Sequence, residues 1–159
     1  MSDIYIYLDM DPYLAQWFIH DHGGAVPVVL RKGSPDSNLL VLLLRCLPAN
    51  AKPDLPRKGA VPVMLPYNQI KNVRYNFYLG HKERVRLVKH IRNRFLVELW
   101  DDLHRWNYIG KEKQWLIYEW MKAHGIKDTE TNYFAVQKNY QRLRNTAFMR
   151  EWRKKYRKR

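Results

Sequence analysis

Three clusters in the sequence contain residue types that bind metals or catalyse reactions. In the first, His20, Asp21 and His22 supply two imidazoles and a carboxylate, which are ligands that zinc takes. Side chains at positions i and i+2 of a helix point about 200° apart, so His20 and His22 cannot reach one ion while the helix stays intact. We therefore predict a polar helix end here and no metal site.

The other two clusters are pairs of carboxylates that could serve a nuclease. Asp9 and Asp11 follow the first predicted strand and could bind Mg²⁺, an ion that activates water. Asp11 is better placed to cap a helix, and no third acid lies nearby in sequence. Asp101 and Asp102 precede His104, but adjacent carboxylates diverge on a helix, and acids near basic residues more often form surface ion pairs. We predict no catalytic residue, with a Mg²⁺-dependent nuclease as the minority alternative.

Familiar catalytic and cofactor motifs are missing from the sequence. It contains no glycine-rich phosphate loop of the Walker or dinucleotide type and no Gly-x-Ser-x-Gly elbow. Its single cysteine, Cys46, excludes an intramolecular disulfide and any multi-cysteine zinc site. These observations favour a protein that is not an enzyme and that uses no cofactor.

Positive charge is the outlying property of the composition. The 159 residues include 29 basic and 15 acidic ones, for a formal net charge of +14. Residues 1–70 are neutral overall, residues 71–94 carry +7, and residues 104–159 carry +10. This distribution predicts that the first part builds structure and that the second part meets a polyanion.

The basic C-terminal region contains side chains that recognise nucleic acid. Gln and Asn can form two hydrogen bonds with adenine, and Arg can form two with guanine. On a predicted helix from about Tyr133, the apolar stripe comprises Val136, Tyr140, Leu143 and Ala147. The opposite face is predicted to enter the major groove of DNA and comprises Gln137, Lys138, Gln141, Arg142, Arg144 and Asn145.

Further basic residues are predicted to contact phosphates. Phe148, Trp152 and Tyr156 recur every four residues, so a last helical segment can dock an aromatic stripe or become ordered on a phosphate backbone. The basic residues around that stripe are Arg150, Arg153, Lys154, Lys155, Arg157, Lys158 and Arg159. The long central helix has a basic side that either meets solvent or extends this surface, made of Lys82, Arg86, Lys89, Asn93 and Arg94.

Three helical segments are expected to position the C-terminal residues. The first runs from Lys111 to His124 with an apolar stripe and ends at Gly125. A polar turn leads to the second helix, and the third is the tail segment. Two short helices joined through a glycine resemble a helix-turn-helix, although a tight one uses a turn of three or four residues and this turn spans 125–131. A basic helical hairpin with a solvated polar face is the alternative.

A small sheet with packed helices is predicted for the N-terminal part. Apolar alternation indicates strands within 4–8, 26–30 and 61–65, and the prolines in the last two favour sheet edges. A fourth strand is possible within 73–79.

Three helices are expected in the same part of the chain. Two begin at a capping residue followed by proline, Asp11-Pro12 and Ser34-Pro35, and the second continues through Leu47. The longest runs from about His81 to Arg105, and its predicted apolar stripe comprises Val85, Val88, Ile91, Phe95, Leu99 and Leu103.

The elements together predict an α+β fold with two domains. Residues 1–106 form an α+β domain that ends in the long amphipathic helix, and residues 107–159 form the basic helical region. The sequence shows no secretion signal and no apolar run of the roughly 20 residues that span a bilayer. We therefore expect a soluble cytoplasmic protein without a membrane partner.

The chain resembles small uncharacterised basic proteins carried on bacterial phages and mobile elements. The segments that carry the resemblance are Lys32-Gly33-Ser34, Leu99-Trp100-Asp101-Asp102-Leu103-His104, and Ile117-Tyr118-Glu119-Trp120-Met121 before His124-Gly125-Ile126. No catalytic residues come with it. The resemblance favours the DNA of a mobile element as the partner.

A DNA-binding accessory or regulatory protein is the function that we predict from the sequence. RNA binding is an alternative, in which exposed aromatic residues such as Tyr133 or Trp152 stack on unpaired bases. A protein-interaction module that binds no nucleic acid and a metal-dependent nuclease are the others. The oligomeric state stays open.

Overall fold

The computed structural model describes residues 3–67, 71–106 and 112–156. The chain forms two compact units, Met1–Asn93 and Arg94–Arg159. We predicted a boundary after residue 106, but the division falls inside the longest helix, because the second half of that helix packs within the C-terminal unit. Phe95, for example, packs edge-on against Trp120 at 5.6 Å. The joint predicted at 107–110 lies outside the described residues.

A three-stranded sheet forms the base of the N-terminal unit. It comprises β1 (Tyr5–Leu8), β2 (Val28–Val29) and β3 (Val61–Met64), in the order β1-β3-β2. β3 runs antiparallel to β1 and parallel to β2. Alternate side chains are buried along β1 and β3, so one face of the sheet contributes to the core. With the helices described below, this sheet confirms the predicted α+β class.

The central position of β3 corrects the prediction that its prolines place it at a sheet edge. Leu65 donates its N–H to the Ile4 carbonyl, so every second residue of β3 bonds toward β1. The nitrogen of Pro62, opposite Tyr7, therefore faces the other side. There β2 pairs only with Val63 and Met64, so the missing N–H of Pro62 interrupts no pairing. β2 itself lies at the edge, as its proline predicted.

Charged side chains cover the outer edge of β1. The N–H of Tyr7 donates to Asp54 at 2.7 Å, and the Tyr7 carbonyl accepts from Arg57 and Arg84 at 2.9 and 2.7 Å. Both arginines also pair with the Asp54 carboxylate, at 2.7 and 2.8 Å. Burial raises the pKa of Asp54, but the hydrogen bonds from Arg84, Tyr7 and Arg57 outweigh burial and lower it. The network satisfies an edge that would otherwise be open to pairing with another strand.

Two helices of this unit begin where local signals predicted. α1 (Pro12–Asp21) has Asp11 as its N-cap residue, without a side-chain capping bond, and ends before Gly23, whose φ is +97°. In α2 (Pro35–Leu43), the Ser34 hydroxyl accepts the N–H of Ser37 at 3.2 Å.

The end of α2 and the possible fourth strand both depend on one pairing. Residues from Leu44 onward are extended, because Arg45 and Tyr78 exchange backbone hydrogen bonds of 2.9 Å as an isolated bridge. The helix therefore stops short of the predicted Leu47. Between 73 and 79 the structure has this bridge and no further strand.

α3 (His81–Trp106) is the long central helix that the sequence predicted. Its buried side chains recur every four residues, at Leu87, Ile91, Phe95, Leu99 and Leu103. Val85, which was predicted to belong to this stripe, is exposed, because Leu87 begins the buried face instead.

Two helices complete the C-terminal unit, α4 (Lys113–Ala123) and α5 (Glu130–Tyr156). The three segments predicted here are thus two, because the second and third merge into one helix of 27 residues. No Gly or Pro occurs between Glu130 and Tyr156 to interrupt its hydrogen bonds. None of the described helices has the length and apolar character that crossing a bilayer requires.

Candidate nucleic-acid interface

The start of α5 is held by contacts from the preceding turn. Gly125 ends α4 with φ +70°, and the N–H of Ile126 returns to the Met121 carbonyl at 2.9 Å. The Thr129 hydroxyl then accepts the N–H of Asn132 at 3.3 Å as a helix cap. The direction in which α5 leaves the turn is therefore set by hydrogen bonds on both sides of it.

Burial fixes which side of α5 faces inward. Tyr133, Val136 and Tyr140 are buried, at positions i, i+3 and i+7. Tyr133 stacks on Tyr118 of α4 with ring centroids 4.5 Å apart. Tyr133 was the residue expected to stack on RNA bases, and this packing corrects that expectation. The other residue named for that role, Trp152, has a side chain outside the described part of the structure.

Four predicted contact residues share the outward side of α5. Lys138, Gln141, Arg142 and Asn145 are all exposed. Their spacing of i, i+3, i+4 and i+7 places them on one face at about 100° of rotation per residue. Gln137, beside this face, is half-buried. We name Lys138, Gln141, Arg142 and Asn145 the outward face.

Two exposed phenylalanines extend the same stripe at both ends. Phe134 is 55% exposed and lies four residues before Lys138, and Phe148 is 67% exposed and lies three residues after Asn145. The sequence analysis missed Phe134 and expected Phe148 to dock inward. The spacing of Phe134, Lys138, Gln141, Asn145 and Phe148, at i, i+4, i+7, i+11 and i+14, was the signal that could have found both.

Arg144 points away from the outward face, toward an open groove in the C-terminal unit. Its guanidinium carbon lies 6.0 Å from the centroid of the Tyr140 ring. The groove has a volume of about 690 Å³, and its lining includes Trp100, His104, Arg144, Asn145 and Phe148, with Glu151 as an acidic member. Trp100 and His104 stack on each other there at 4.8 Å. Aromatic rings, an arginine and an amide therefore meet at one concave surface.

The remaining basic residues of α5 are more dispersed. Arg150 and Lys154 are exposed, but helical geometry places them roughly 120° or more around the helix from the outward face. The side chains of Arg153 and Lys155 are not among those described, and Arg157, Lys158 and Arg159 lie beyond the described residues. After Tyr140, no described side chain of α5 is buried, and Leu143 and Ala147 are half-buried, so most described side chains of this part of the helix meet solvent.

The basic side predicted for α3 lies largely in the N-terminal unit. Lys82, Arg86 and Lys89 are all exposed there, at i, i+4 and i+7. Asn93 is exposed as well, whereas Arg94 is half-buried. Lys82, Arg86 and Lys89 thus form a second cationic stripe on one helix.

The acids considered for catalysis occupy different environments within each pair. Asp9 pairs with Arg57 at 2.8 Å, and Asp11 is the N-cap residue of α1. Asp101 is exposed, whereas Asp102 accepts the indole N–H of Trp120 at 3.0 Å. The adjacent carboxylates therefore diverge, as their helical spacing predicted.

Asp102 instead meets a histidine far away in sequence. His124 Nε2 lies 3.2 Å from Glu98 Oε1 and 3.5 Å from Asp102 Oδ2. Partial burial lowers the pKa of His124, but the hydrogen bond with Glu98, the Trp120 carbonyl and the Asp102 charge raise it above its ordinary value. This Glu98–Asp102–His124 cluster was not foreseen from the sequence.

A second cluster of histidines and carboxylates lies in the N-terminal unit. Asp36 is fully buried, and its two carboxylate oxygens lie 3.0 Å from His22 Nε2 and 3.1 Å from His90 Nε2. His22 also lies 3.8 Å from Asp21, whereas His20 does not join this group. The predicted separation of His20 from His22 agrees with this arrangement, but the role of Asp36 as the distant partner of His22 and His90 was missed.

Comparison of the chain with protein families, curated proteins and solved structures found no match.

Proposed function

We propose that this protein binds DNA through the outward face of α5. The observation that carries the proposal is the joint exposure of Lys138, Gln141, Arg142 and Asn145 on one side of a helix whose opposite side is buried as far as Tyr140. Gln and Asn suit adenine, Arg suits guanine, and Lys suits phosphate. An α-helix is about 10 to 12 Å wide with its side chains, which matches a major groove of about 12 Å.

Charge supports the same proposal. Residues 104–159 carry a net +10, and of the described acidic residues on α5, Glu151 lies off the outward face and Glu130 lies four residues before Phe134. A surface of this sign attracts a phosphate backbone and releases its counterions. Contacts from Arg150 or Lys154 would add affinity without reading sequence, and the basic stripe of α3 is a separate cationic surface of the N-terminal unit. A helix-turn-helix docking is one way to place α5, although six residues, 124–129, separate α4 from α5.

An accessory or regulatory role on the DNA of a mobile element in the cytoplasm is the biological setting that we propose. The resemblance to basic proteins of phages and mobile elements supports it.

Binding to duplex DNA should be measured by fluorescence anisotropy over a series of salt concentrations. We expect affinity to fall steeply with salt, since each neutralised phosphate adds about 0.9 to the slope of log K against log salt. The double substitution Lys138→Glu with Arg142→Glu should weaken binding by roughly 10- to 100-fold, because it removes one phosphate contact and one base contact.

A matched control carries the same charge change on another helix. Lys113 and Lys122 are exposed on α4, and Lys113→Glu with Lys122→Glu lowers the net charge equally. We expect the control to bind several times more tightly than the α5 variant. Equal losses in both variants would show that total charge, and not the outward face, determines binding.

Unpaired bases are a second candidate ligand, which the two exposed phenylalanines and the groove favour. Phe134 and Phe148 flank the outward face, and the groove combines Trp100 and Arg144 with the amide of Asn145. Aromatic rings stack on bases of any sequence, and each stacked base contributes about 1–3 kcal/mol. Single-stranded DNA or RNA should therefore be compared with duplex DNA in competition.

Substitution of the two phenylalanines distinguishes duplex DNA from unpaired bases as the ligand. If unpaired bases bind, Phe134→Ala and Phe148→Ala should each weaken single-strand binding by about 5-fold or more and leave duplex binding nearly unchanged. Tight duplex binding that neither substitution alters would favour the major-groove proposal.

A further inference from the structure

The Glu98–Asp102–His124 cluster brings three hydrogen-bond acceptors to one point. His124 Nδ1 donates to the Trp120 carbonyl at 2.8 Å, and a neutral imidazole has a single proton to donate. The lone pair at Nε2 then faces Glu98 Oε1 and Asp102 Oδ2, at 3.2 and 3.5 Å. A divalent cation there would bind the nitrogen lone pair and both carboxylate oxygens, whereas a protonated ring would donate its Nε2–H to Glu98.

The spacing of these atoms matches the ligand shell of a metal ion. Zinc binds His nitrogen and carboxylate oxygen at about 2.0–2.2 Å, so two ligand atoms on one ion lie about 3.0–3.4 Å apart at ordinary angles. The three ligand atoms of the cluster all lie within 4.8 Å of one another. Small shifts of the side chains would therefore admit one ion.

The surrounding contacts orient the three side chains in the way that metal ligands are oriented. Histidines that bind metals usually donate their other N–H to a carbonyl or carboxylate, and ligating carboxylates are themselves hydrogen-bonded. Here the Trp120 carbonyl accepts from His124, and the Trp120 indole N–H donates to Asp102 at 3.0 Å. Trp120 is itself fully buried and stacks on His124 at 4.2 Å, so it holds both ligands from a rigid position.

We propose that Glu98, Asp102 and His124 bind one divalent transition-metal ion, which joins α3 to the end of α4. Glu98 and Asp102 lie one turn apart on α3, and His124 follows α4 directly. One imidazole and two carboxylates suit Zn²⁺ or Mn²⁺ better than Ca²⁺, which takes oxygen ligands. The three side chains are 18 to 35% exposed, so an ion can enter from solvent. This site does not depend on nucleic-acid binding.

The number of carboxylates for each imidazole distinguishes this cluster from the one around Asp36. There, two imidazoles face the two oxygens of one buried carboxylate, and Asp21 lies 3.8 Å from His22. At His124, one ring nitrogen faces two carboxylates. The cluster around Asp36 therefore serves as the internal comparison.

Isothermal titration of the full chain, first stripped of metal by a chelator, with Zn²⁺ or Mn²⁺ tests the proposal. We expect one ion per chain, bound with micromolar or tighter affinity, and a rise in Tm when the ion is present because it binds the folded state. His124→Ala should abolish binding. Glu98→Gln and Asp102→Asn keep the size of the side chains, and Asn keeps an acceptor for Trp120, so both should fold and bind at least about 10-fold more weakly.

Two control variants locate the ion. His22→Ala removes one histidine of the cluster around Asp36. Glu119→Gln makes the same chemical change as Glu98→Gln, but on α4 instead of α3. Both should bind the ion with unchanged affinity.

Three results would overturn the proposal. The first is a dissociation constant above about 100 μM for the unmodified chain. The second is unchanged metal affinity in the Glu98→Gln and Asp102→Asn variants. The third is loss of metal binding in the His22→Ala variant. If His124→Ala does not fold, the metal affinities of Glu98→Gln and Asp102→Asn decide whether the cluster binds the ion.

Discussion

Removing the Asp54 carboxylate should destabilise the N-terminal unit strongly, because this side chain joins Arg57 and Arg84 to Tyr7 at the outer edge of β1. Its side chain is 8% exposed and accepts the N–H of Tyr7 and one N–H each from Arg57 and Arg84. Asp54→Ala would leave those donors without their acceptor. Asp54→Asn keeps one acceptor oxygen and loses the charge, so its effect should be smaller.

The magnitude follows from the three contacts. A hydrogen bond to a charged group contributes about 1.5–3 kcal/mol, which applies to the Tyr7 N–H. The pair with Arg84 is partly buried, whereas Arg57 is 40% exposed, and its pair is screened to about 1 kcal/mol or less. These terms are not additive. We expect Asp54→Ala to cost about 2 to 4 kcal/mol of unfolding free energy and Asp54→Asn roughly half of that.

Urea unfolding at neutral pH measures these differences, and Asp9→Ala is the matched control. Asp9 pairs with the same Arg57 but is 68% exposed, so its loss should cost less than about 1 kcal/mol. An Asp54→Ala variant as stable as Asp9→Ala would refute the assigned role of this network.

Acid should erase the difference between the Asp54→Ala variant and the unmodified chain. The folded-state pKa of Asp54 is lowered below 3.8, chiefly by Arg84 after the opposing effect of burial is overcome. A lowered pKa means that the carboxylate stabilises the fold fully above its unfolded pKa, and that this stability is lost as pH falls through the folded pKa. The two unfolding free energies should therefore converge below about pH 3.8. A gap that stays constant with pH would show that the charge of Asp54 is irrelevant.

Other substitutions test the remaining elements. Ser34→Ala removes the hydroxyl that caps α2 and should cost about 1 kcal/mol in urea unfolding. Gly125→Ala places a side chain at φ +70° and should cost about 1 kcal/mol or more, seen as a lower Tm. Phe95→Ala empties a fully buried site and should cost about 3–5 kcal/mol; a smaller loss would show that the site collapses. Arg144→Gln should change stability by less than about 1 kcal/mol, since its contact with Tyr140 is a long cation–π one.

Much of the helical structure was predictable because its signals are local. Ser34 followed by Pro35, and Gly125 after α4, mark helix ends through the conformations and hydrogen bonds of neighbouring residues. The outward face of α5 follows from helical periodicity, so four of its predicted residues are found together. Periodicity did not show that Arg144 would turn toward Tyr140 or that Phe134 and Phe148 would remain exposed, because both depend on which neighbours cover the helix.

The sequence alone therefore determined where most helices of this protein begin, its basic C-terminal charge and the polar stripe of α5. Only the tertiary structure decided that β3 is central, that Tyr133 is buried, and that His124 meets Glu98 and Asp102. The contacts at His124 join residues 26 and 22 positions apart, and no local pattern specifies such a distance. Helical periodicity acts over one or two turns, whereas a site assembled from two helices depends on the packing of buried side chains such as Phe95 and Trp120 between them.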